Sequence, residues 1–279
     1  MICIFFITMN NPVPDYLAKK NPHERDAFIT FDEGPHIYTV HGDSSFTSVT
    51  TWNHGHFPHF DAEKILDNIM RSKKHKDPAY KYYGQSRQEI KDGWDKNRDE
   101  AAAAGTKMHY DIECFYNEMD VTNDSIEYQW FERFVKDFPE LKPYRTEWMV
   151  YHEELKLSGS IDMIFENPDG TLQIYDWKRS RGIEYESYNG QGATNPVISH
   201  LPDTNFWHYS LQLNTYKTIL EQKYGKKITD MYLVCLHPNN TNKSYDRIEV
   251  ADLSKEMVDL FAQRKSQVES SNSKNSKSK

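Results

Sequence analysis

The chain has 279 residues, of which 27% are charged and 14% aromatic, and its formal net charge at pH 7 is −8. This length allows one elaborated domain or two domains, and the acidic balance argues mildly against a large nucleic-acid-binding surface. The three cysteines, Cys3, Cys114 and Cys235, form no CxxC pair. Their spacing excludes a disulfide framework, a zinc knuckle and an iron–sulfur cluster, and it predicts an intracellular protein.

Apolar residues open the chain, but residues 1–9 are too few to span a bilayer, and no other stretch could span one. We interpret this opening as a buried first strand or as a ragged start in which Met9 is the initiator. Alternating residues around Glu33, Gly34 and Pro35 then predict a β-hairpin over 28–40. Helical patterns follow, and Gly105 is expected to bend or restart the second helix. The predicted elements after the hairpin are helices 61–70, 85–119 and 125–138, strands 146–152, 157–166 and 171–179, a polar loop 182–203, helix 205–224, strands 227–236 and 245–250, and helix 254–268.

This order of elements describes an α/β chain with a mixed sheet. We expect residues 1–104 to form a mainly helical N-terminal elaboration, with the hairpin, that packs on a core of residues 105–268. Residues 269–279 are rich in serine, asparagine and lysine, and they are predicted to be a disordered tail.

The five residues from Asn167 to Thr171, NPDGT, predict a tight turn between two strands. Proline suits position i+1 of a type I turn, aspartate suits i+2, and glycine supplies the left-handed residue of a bulge. Such a turn pairs Asn167 with Thr171 and, counted back along both strands, places Asp162 opposite Asp176. A slip by one residue would move Asp162 to the other face of the sheet. The other pairs of this register are Phe165 with Gln173, Ile164 with Ile174, Met163 with Tyr175, and Ile161 with Trp177.

Two facing aspartates in neighbouring strands repel each other. Their Cβ atoms would lie ~5 Å apart, and the repulsion amounts to roughly 3 kcal/mol at an effective dielectric constant near 20. A bridging divalent cation or a retained proton relieves this repulsion. Lys178 projects from the same face as Asp176, about 6–7 Å further along, and the three groups together suit Mg²⁺ with a phosphate. The alternative is a plain salt bridge between Asp176 and Lys178, with Asp162 capping a loop.

Short motifs around these residues resemble the PD-(D/E)XK nuclease superfamily. Residues 159–162 (GSID) and 176–178 (DWK) resemble its two central motifs. Residues 105–109 (GTKMH) with Glu113, and residues 212–216 (QLNTY), resemble the flanking helices of its RecB-type, lambda-exonuclease-like branch. The four motifs occur in the order of that branch. The N-terminal third of the chain also resembles homologues from large DNA viruses.

The resemblance implies a restriction-endonuclease-like core, with a central mixed β-sheet flanked by helices, over residues 105–268. It also implies a Mg²⁺- or Mn²⁺-dependent deoxyribonuclease that lacks an iron–sulfur cluster and zinc. Such an enzyme acts on single strands or duplex ends, as an exonuclease or end-processing enzyme in replication, recombination or repair. RNA stays open as a substrate, and the oligomeric state is not predicted. The alternative is a nucleic-acid-binding module of the same fold that does not cleave.

Particular residues receive roles from this resemblance. Lys178 would be the catalytic lysine, and Gln212 and Tyr216 would contact substrate or orient the lysine. Glu113 would orient His109, unless the two only share a helix surface. Glu147 would be a further ligand, unless Arg145 is simply its structural partner. The implied metal ligands are His109, Asp162, Asp176, the backbone carbonyl of Trp177, and Glu147.

Further positions suit nucleic acid by composition. Residues 71–98 interleave basic and aromatic side chains, as in a groove that binds single-stranded nucleic acid. A solvated helix whose tyrosines pack inward explains the same sequence pattern. Arg179 and Arg181 could clamp a phosphate. The histidines at 54, 56 and 59 match no zinc motif and predict an exposed loop. Phe206, Trp207 and Tyr209 are predicted as core or channel wall. Contacts to nucleic acid within residues 71–98 are predicted for Lys81, Tyr83, Arg87 and Trp94.

Overall fold

The computed structural model describes residues 13–277, with side chains for residues 13–273. The apolar opening, with Cys3 and Met9, lies outside the described residues. Seven helices are described: α1 (Tyr16–Lys20), α2 (Val49–His54), α3 (Ala62–Arg71), α4 (Arg87–Tyr116), α5 (Ile126–Asp137), α6 (Asn205–Lys223) and α7 (Ser254–Lys277). The described strands are β1 (Ile29–Asp32), β2 (Ile37–Val40), β3 (Thr47–Ser48), β4 (Lys142–His152), β5 (Leu157–Glu166), β6 (Leu172–Lys178), β7 (Ile228–Cys235) and β8 (Asp246–Glu249).

A six-stranded mixed sheet forms the centre of the protein, and β5 organises it. One edge of β5 pairs antiparallel with β4 along the whole strand. Its other edge is shared, since β3 pairs parallel with its first residues and β6 antiparallel with its last ones. The sheet continues through β7, parallel to β6, and β8, antiparallel to β7.

Helices cover both faces of this sheet. One core contains side chains of α2, α6 and α7 packed on residues such as Trp148 and Ile174, and the other contains those of α1, α4 and α5 packed on residues such as Tyr175 and Trp177. The predicted α/β class, a central mixed sheet flanked by helices, is confirmed and agrees with a restriction-endonuclease-like fold. Within residues 13–277, no helix is both long enough and apolar enough to cross a bilayer.

The turn between β5 and β6 has the predicted form. The Asn167 amide donates to the Thr171 carbonyl at 2.8 Å, and Gly170 adopts the left-handed φ of 82° that the bulge requires. The paired residues run from Glu166 with Leu172 to Met163 with Tyr175, in the predicted register. Beyond Met163 the two strands separate, so the predicted pairings of Asp162 with Asp176 and of Ile161 with Trp177 are wrong, although Asp162 and Asp176 stay close enough to interact.

Two other predictions about local structure are corrected. Helix α4 runs without a break through Gly105, because a preceding alanine run and the capping box between Ser86 and Glu89 stabilise one continuous helix. Helix α7 continues to Lys277, although disorder was predicted from residue 269. Serine hydroxyls in its last turns also donate to carbonyls four residues earlier, for example Ser270 to Ser266 at 2.7 Å.

Candidate active site

Three potential metal ligands from three elements meet where β5 leaves β6. His109 on α4, Glu147 on β4 and Asp162 on β5 each offer a ligand atom, and these atoms lie within 4.8 Å of one another. His109 Nδ1 is 3.4 Å from Asp162 Oδ2 and 3.8 Å from Glu147 Oε1. The fold therefore brings together two predicted ligands and the additional acidic residue, although 53 residues separate His109 from Asp162 in sequence.

Asp176 and Lys178 lie beside this cluster on β6. The Trp177 amide, which would have continued the ladder, donates instead to Asp162 Oδ2 at 3.0 Å. Asp176, with only 4% of its side chain exposed, has Oδ2 2.6 Å from Lys178 Nζ. The Asp176–Lys178 ion pair of the alternative interpretation is thus present, and Asp162 does accept a backbone hydrogen bond, although from strand β6 and not from a loop. They occur at the place where the metal-site interpretation also puts these residues.

Glu147 has an unusual backbone for a strand residue. Its neighbours Thr146 and Trp148 pair with Met163 and Ile161, which places Glu147 opposite Asp162, yet Glu147 itself has a φ of 40°. A left-handed non-glycine residue inside a strand costs about 1–3 kcal/mol, and such strain collects at functional sites. The Ser160 hydroxyl donates to Glu147 Oε2 at 2.8 Å and helps to hold the carboxylate in place.

Arg145 does not pair with Glu147. Its guanidinium donates to Asp26 Oδ2 at 2.7 Å, and the indole of Trp148 donates to the other oxygen of the same carboxylate at 2.9 Å. Arg145, the expected structural partner of Glu147, therefore pairs instead with Asp26 in the N-terminal part of the chain. Glu147 stays with His109 and Asp162.

The opposite wall of the site comes from α6. Gln212 and Tyr216 are one turn apart on the face that lines the cleft with Asp162. Tyr216, 3% exposed, hydrogen-bonds Gln212, and its phenol lies against Gly159 of β5. A Cβ atom at Gly159 would be 2.6 Å from Tyr216 Oη and 2.9 Å from its Cε1, so only glycine permits this approach.

Gly159→Ala should therefore displace Tyr216 and lower whatever activity the cleft has, by about 10- to 100-fold, since misplacement of about 1 Å is enough for that. Gly93→Ala in α4 is the matched control, because nothing lies within 4 Å of its added Cβ and alanine favours a helix. Turnover and melting temperature of both variants would be compared with those of the wild type. Equal turnover in all three proteins would show that Tyr216 has no positional role.

Negative charge exceeds positive charge in this cluster. Burial, together with the nearby Asp176 carboxylate, raises the pKa of Asp162 to about 7. Burial and Glu147 raise the pKa of Glu113, one turn beyond His109, to about 8. Burial lowers the pKa of His109, but Asp162 and Glu147 outweigh it and bring that pKa to about 9. All three shifts favour proton uptake by the folded chain.

The metal-free protein should consequently lose stability as the pH rises. Asp162 and Glu113 have folded pKa values above their ordinary values of 3.8 and 4.5, so their contribution is full near pH 4 and lost on passing pH 7 to 8. His109 acts in the same direction between pH 6.5 and about 9. Melting temperatures in chelator between pH 5 and 9 test this. A rise in the melting temperature over that range would contradict it.

The donor set fits a divalent cation. Carboxylate oxygens suit Mg²⁺ and Mn²⁺, and imidazole nitrogen favours Mn²⁺ of the two. Asp176 Oδ2 is buried and has no well-directed hydrogen bond within the described residues, despite its proximity to Lys178 Nζ. A cation here would offset the repulsion between the Asp162 and Asp176 carboxylates, which adds to burial in raising the pKa of Asp162.

Lys178 itself is held from two sides. Its ammonium contacts Asp176 and lies 4.6 Å from the ring centroid of Tyr209 on α6. Burial lowers the pKa of Lys178, but the charges of Asp176 and Asp162 outweigh it and raise that pKa overall, so the amine is protonated. Tyr209 was predicted only as core or channel wall, and its contact with Lys178 could not be read from sequence, because it depends on how α6 crosses β6.

The residues predicted to bind phosphate are mostly engaged elsewhere. Arg179 Nε donates to Glu127 at 2.6 Å, whereas Arg181 is exposed. Arg87 forms ion pairs with Glu63 and Asp67. These pairs reduce the positive charge that the sequence alone suggests.

The aromatic residues of the same segment also pack mainly inward. Trp94 donates to Tyr82 Oη at 2.9 Å beside a small core of Leu66, Ile69 and Ile90. Tyr83 is 50% exposed, and Lys81, also exposed, lies over the Tyr82 ring. Tyr80, Tyr82 and Trp94 thus pack inward, as the alternative interpretation expects, whereas Lys81 and Tyr83 stay exposed.

His56 is buried, which corrects the prediction of an exposed loop over the three histidines, and His54 is the last residue of α2. His56 is 7% exposed because Trp52 packs against its ring and Asn195 hydrogen-bonds its Nδ1. His54 and His59 are exposed. The pattern of histidines gave no sign of this, since the packing partners are about 140 residues away in sequence or inside α2.

The cluster of His109, Glu147 and Asp162 opens into a cleft of about 1470 Å³. The core contributes His109, Glu147, Asp162, Gln212 and Tyr216 to its lining. The remaining wall was not predicted, and it includes side chains of the N-terminal hairpin: Phe31, Glu33, His36 and Tyr38.

Comparison with known proteins agrees with this picture. The sequence profile of the PD-(D/E)XK nuclease superfamily matches residues 123–275, which is more than half of the chain and includes β5, β6 and α6 but not His109. No curated protein matches the chain in sequence. A crystal structure from Eubacterium rectale, provisionally described as an exonuclease, is 12% identical, with a TM-score of 0.37 over 81% of this chain and 82% of that one. A likeness that distant carries no weight for function. On the profile match, the chain belongs to the PD-(D/E)XK nuclease superfamily.

Proposed function

We propose that this protein is a Mg²⁺- or Mn²⁺-dependent nuclease that hydrolyses phosphodiester bonds of DNA. One observation carries the proposal: Asp162, Asp176 and Lys178 lie together with His109 and Glu147, and the cleft that the cluster opens into is also lined by Gln212 and Tyr216. Five separate elements supply these residues. A structural role alone does not explain a partly buried, repulsive carboxylate cluster with a strained residue in it.

The roles follow from position. His109, Glu147, Asp162, Asp176 and the Trp177 carbonyl would hold the metal, which when bound polarises the phosphate and acidifies a water. Lys178, protonated beside Asp176, would donate hydrogen bonds to a phosphate oxygen or to the attacking water. Gln212 and Tyr216 would position the substrate on the opposite wall. Glu113 would orient His109 from the next turn of α4.

We place the enzyme in the RecB-type, lambda-exonuclease-like branch because the four motifs occur in the order of that branch. The resemblance of the N-terminal third to homologues from large DNA viruses stays a separate proposal. An intracellular exonuclease or end-processing role in replication, recombination or repair fits that branch. RNA is a substrate to be tested beside DNA. The competing proposal, a module that binds nucleic acid without cutting, is normally marked by a lost carboxylate or lysine, and both are present here.

The test is incubation of purified protein with linear single-stranded DNA, duplex DNA and RNA in Mg²⁺, Mn²⁺ or chelator. We expect degradation of DNA with metal, none with chelator, and none by Asp176→Asn. Glu140→Gln, an exposed carboxylate in the turn before β4, is the matched control and should cut like the wild type. If the wild type binds DNA but degrades nothing with either metal, the binding-module proposal replaces this one.

A further inference from the structure

Three rings of the N-terminal hairpin form one wall of the cleft. Phe31 and Tyr38 face each other across β1 and β2, with ring centroids 4.5 Å apart. His36, in the turn between the strands, lies edge-on to Phe31 with centroids 4.9 Å apart. We call Phe31, His36 and Tyr38 the aromatic wall.

Exposure increases along this wall towards the hairpin tip. Tyr38 is 7% exposed and lies close enough to Glu147 and Asp162 that burial and their charges raise its pKa. Phe31 is partly buried against a small core of Ile29, Tyr38, Val40 and Tyr151, and His36 is exposed. The wall therefore extends from the carboxylate cluster to solvent, and its outer rings have surface left to contact a ligand.

The charge of the cleft indicates which part of a nucleic acid meets this wall. Lys107 is the single lysine or arginine lining the cleft within the described part of the chain, and its ammonium is paired with Asp111 at 2.7 Å. Glu33 beside His36 adds a negative charge at the tip. A phosphate away from the metal would find no free cation here, whereas a nucleobase needs only an aromatic face.

We infer that the aromatic wall stacks an unpaired base next to the phosphate that is cut, so that the cleft selects single strands or frayed ends. This inference rests on the proposed function, because it takes nucleic acid as the ligand of the cleft. Inside a duplex both faces of a base are covered by its neighbours, and at a blunt end only the outer face of the terminal pair is free. An unpaired base therefore presents more aromatic surface to Phe31 and His36. Binding should depend strongly on the base and weakly on salt, because few phosphates are neutralised.

The experiment measures binding of a fluorescently labelled single strand by anisotropy, with Ca²⁺ in place of Mg²⁺. A single abasic site is moved one nucleotide at a time along the strand. We expect the wild type to lose roughly tenfold in affinity when the abasic site reaches the wall. Phe31→Leu and His36→Asn should weaken binding of the intact strand by a similar factor, and should bind the abasic strand no worse than the wild type does.

The variants are chosen to preserve the fold. Leucine keeps the apolar contacts of Phe31, and asparagine tolerates the left-handed φ of 58° at His36. Ile37→Ala, on the outer face of the same hairpin and 40% exposed, is the control and should bind like the wild type. Melting temperatures verify that the hairpin stays folded.

Three results would overturn the inference. Two of them concern the base: no abasic position weakens wild-type binding, or the variants lose the same factor on intact and abasic strands. Tighter binding of blunt duplex than of single strand would do the same. These outcomes are independent of cleavage. If the wild type cuts nothing in Mg²⁺ or Mn²⁺ but shows the base-dependent pattern, the proposed nuclease function fails while the base-stacking wall is supported.

Discussion

Asp162→Asn is expected to abolish metal-dependent cleavage and at the same time to raise the melting temperature of the metal-free protein. Burial and the neighbouring Asp176 carboxylate together raise the pKa of the wild-type Asp162 carboxyl to about 7. The ionised form of Asp162, which dominates at pH 8, therefore destabilises the fold. Asparagine removes the charge and keeps an oxygen that can accept from the Trp177 amide. Loss of the attraction to His109 offsets part of the gain, which leaves roughly 1–3 kcal/mol, or a few degrees.

The measurement is differential scanning fluorimetry at pH 8 in chelator and in Mg²⁺, run beside a cleavage assay. The wild type should gain stability from Mg²⁺, whereas Asp162→Asn should gain little. Asp230→Asn on β7 is the matched control, because it removes an aspartate charge from the same sheet outside the cleft. A lower melting temperature for Asp162→Asn in chelator would mean that this carboxylate stabilises the fold and would remove the main reason to place a cation there.

Lys178→Met is expected to lower the stability of the metal-free protein, which Asp162→Asn raises. Like Asp162→Asn, it should strongly reduce cleavage. Methionine fills the space of the aliphatic stem but leaves the Asp176 carboxylate, 4% exposed, without its partner 2.6 Å away. Removal of one partner of a buried pair costs about 3–5 kcal/mol. Cleavage should fall by about 10³-fold, because one directed donor to a developing charge contributes that much.

Added metal distinguishes this effect from ordinary misfolding. A divalent cation bound to Asp176 replaces the missing ammonium, so Mg²⁺ or Mn²⁺ should restore much of the melting temperature of Lys178→Met without restoring cleavage. Lys136→Met, an exposed lysine on α5, serves as the control for loss of a positive charge. Cleavage by Lys178→Met at the wild-type rate would remove Lys178 from the catalytic group.

Local sequence predicted the centre of this site because the turn there is governed by local rules. Pro168, Asp169 and Gly170 define the bulged turn, and the turn defines the register from Glu166 with Leu172 to Met163 with Tyr175. Strand alternation then predicted which face carries each side chain. These local rules do not predict that β5 separates from β6 beyond Met163. The separation depends on the hydrogen bond from the Trp177 amide to the Asp162 carboxylate and on the pairing of β3 with the other part of the β5 edge.

The features that sequence analysis missed depend on contacts between distant segments. Helix α1, the 3-10 turn of residues 24–28 and strand β3 are too short for a periodic pattern, and Asp26 is held there by Arg145 and Trp148 from β4. The aromatic wall carried a weak signal, because Phe31 and Tyr38 fall on one face of a predicted hairpin. Nothing in the sequence showed that this face meets the cleft, whereas the basic segment that suggested nucleic acid uses much of its charge in ion pairs.

A crystal of the wild type grown with Mn²⁺ and a short single strand tests the central claim most directly, because the anomalous signal of manganese locates the ion without assumptions. We predict a peak among His109, Glu147, Asp162, Asp176 and the Trp177 carbonyl, with a strand phosphate beside Lys178. A second cluster, His152, Glu153 and Glu154, has a similar set of ligand atoms but is paired with Arg25 and Lys223. A manganese peak there, or none between Asp162 and Asp176, would contradict the proposed metal-dependent centre.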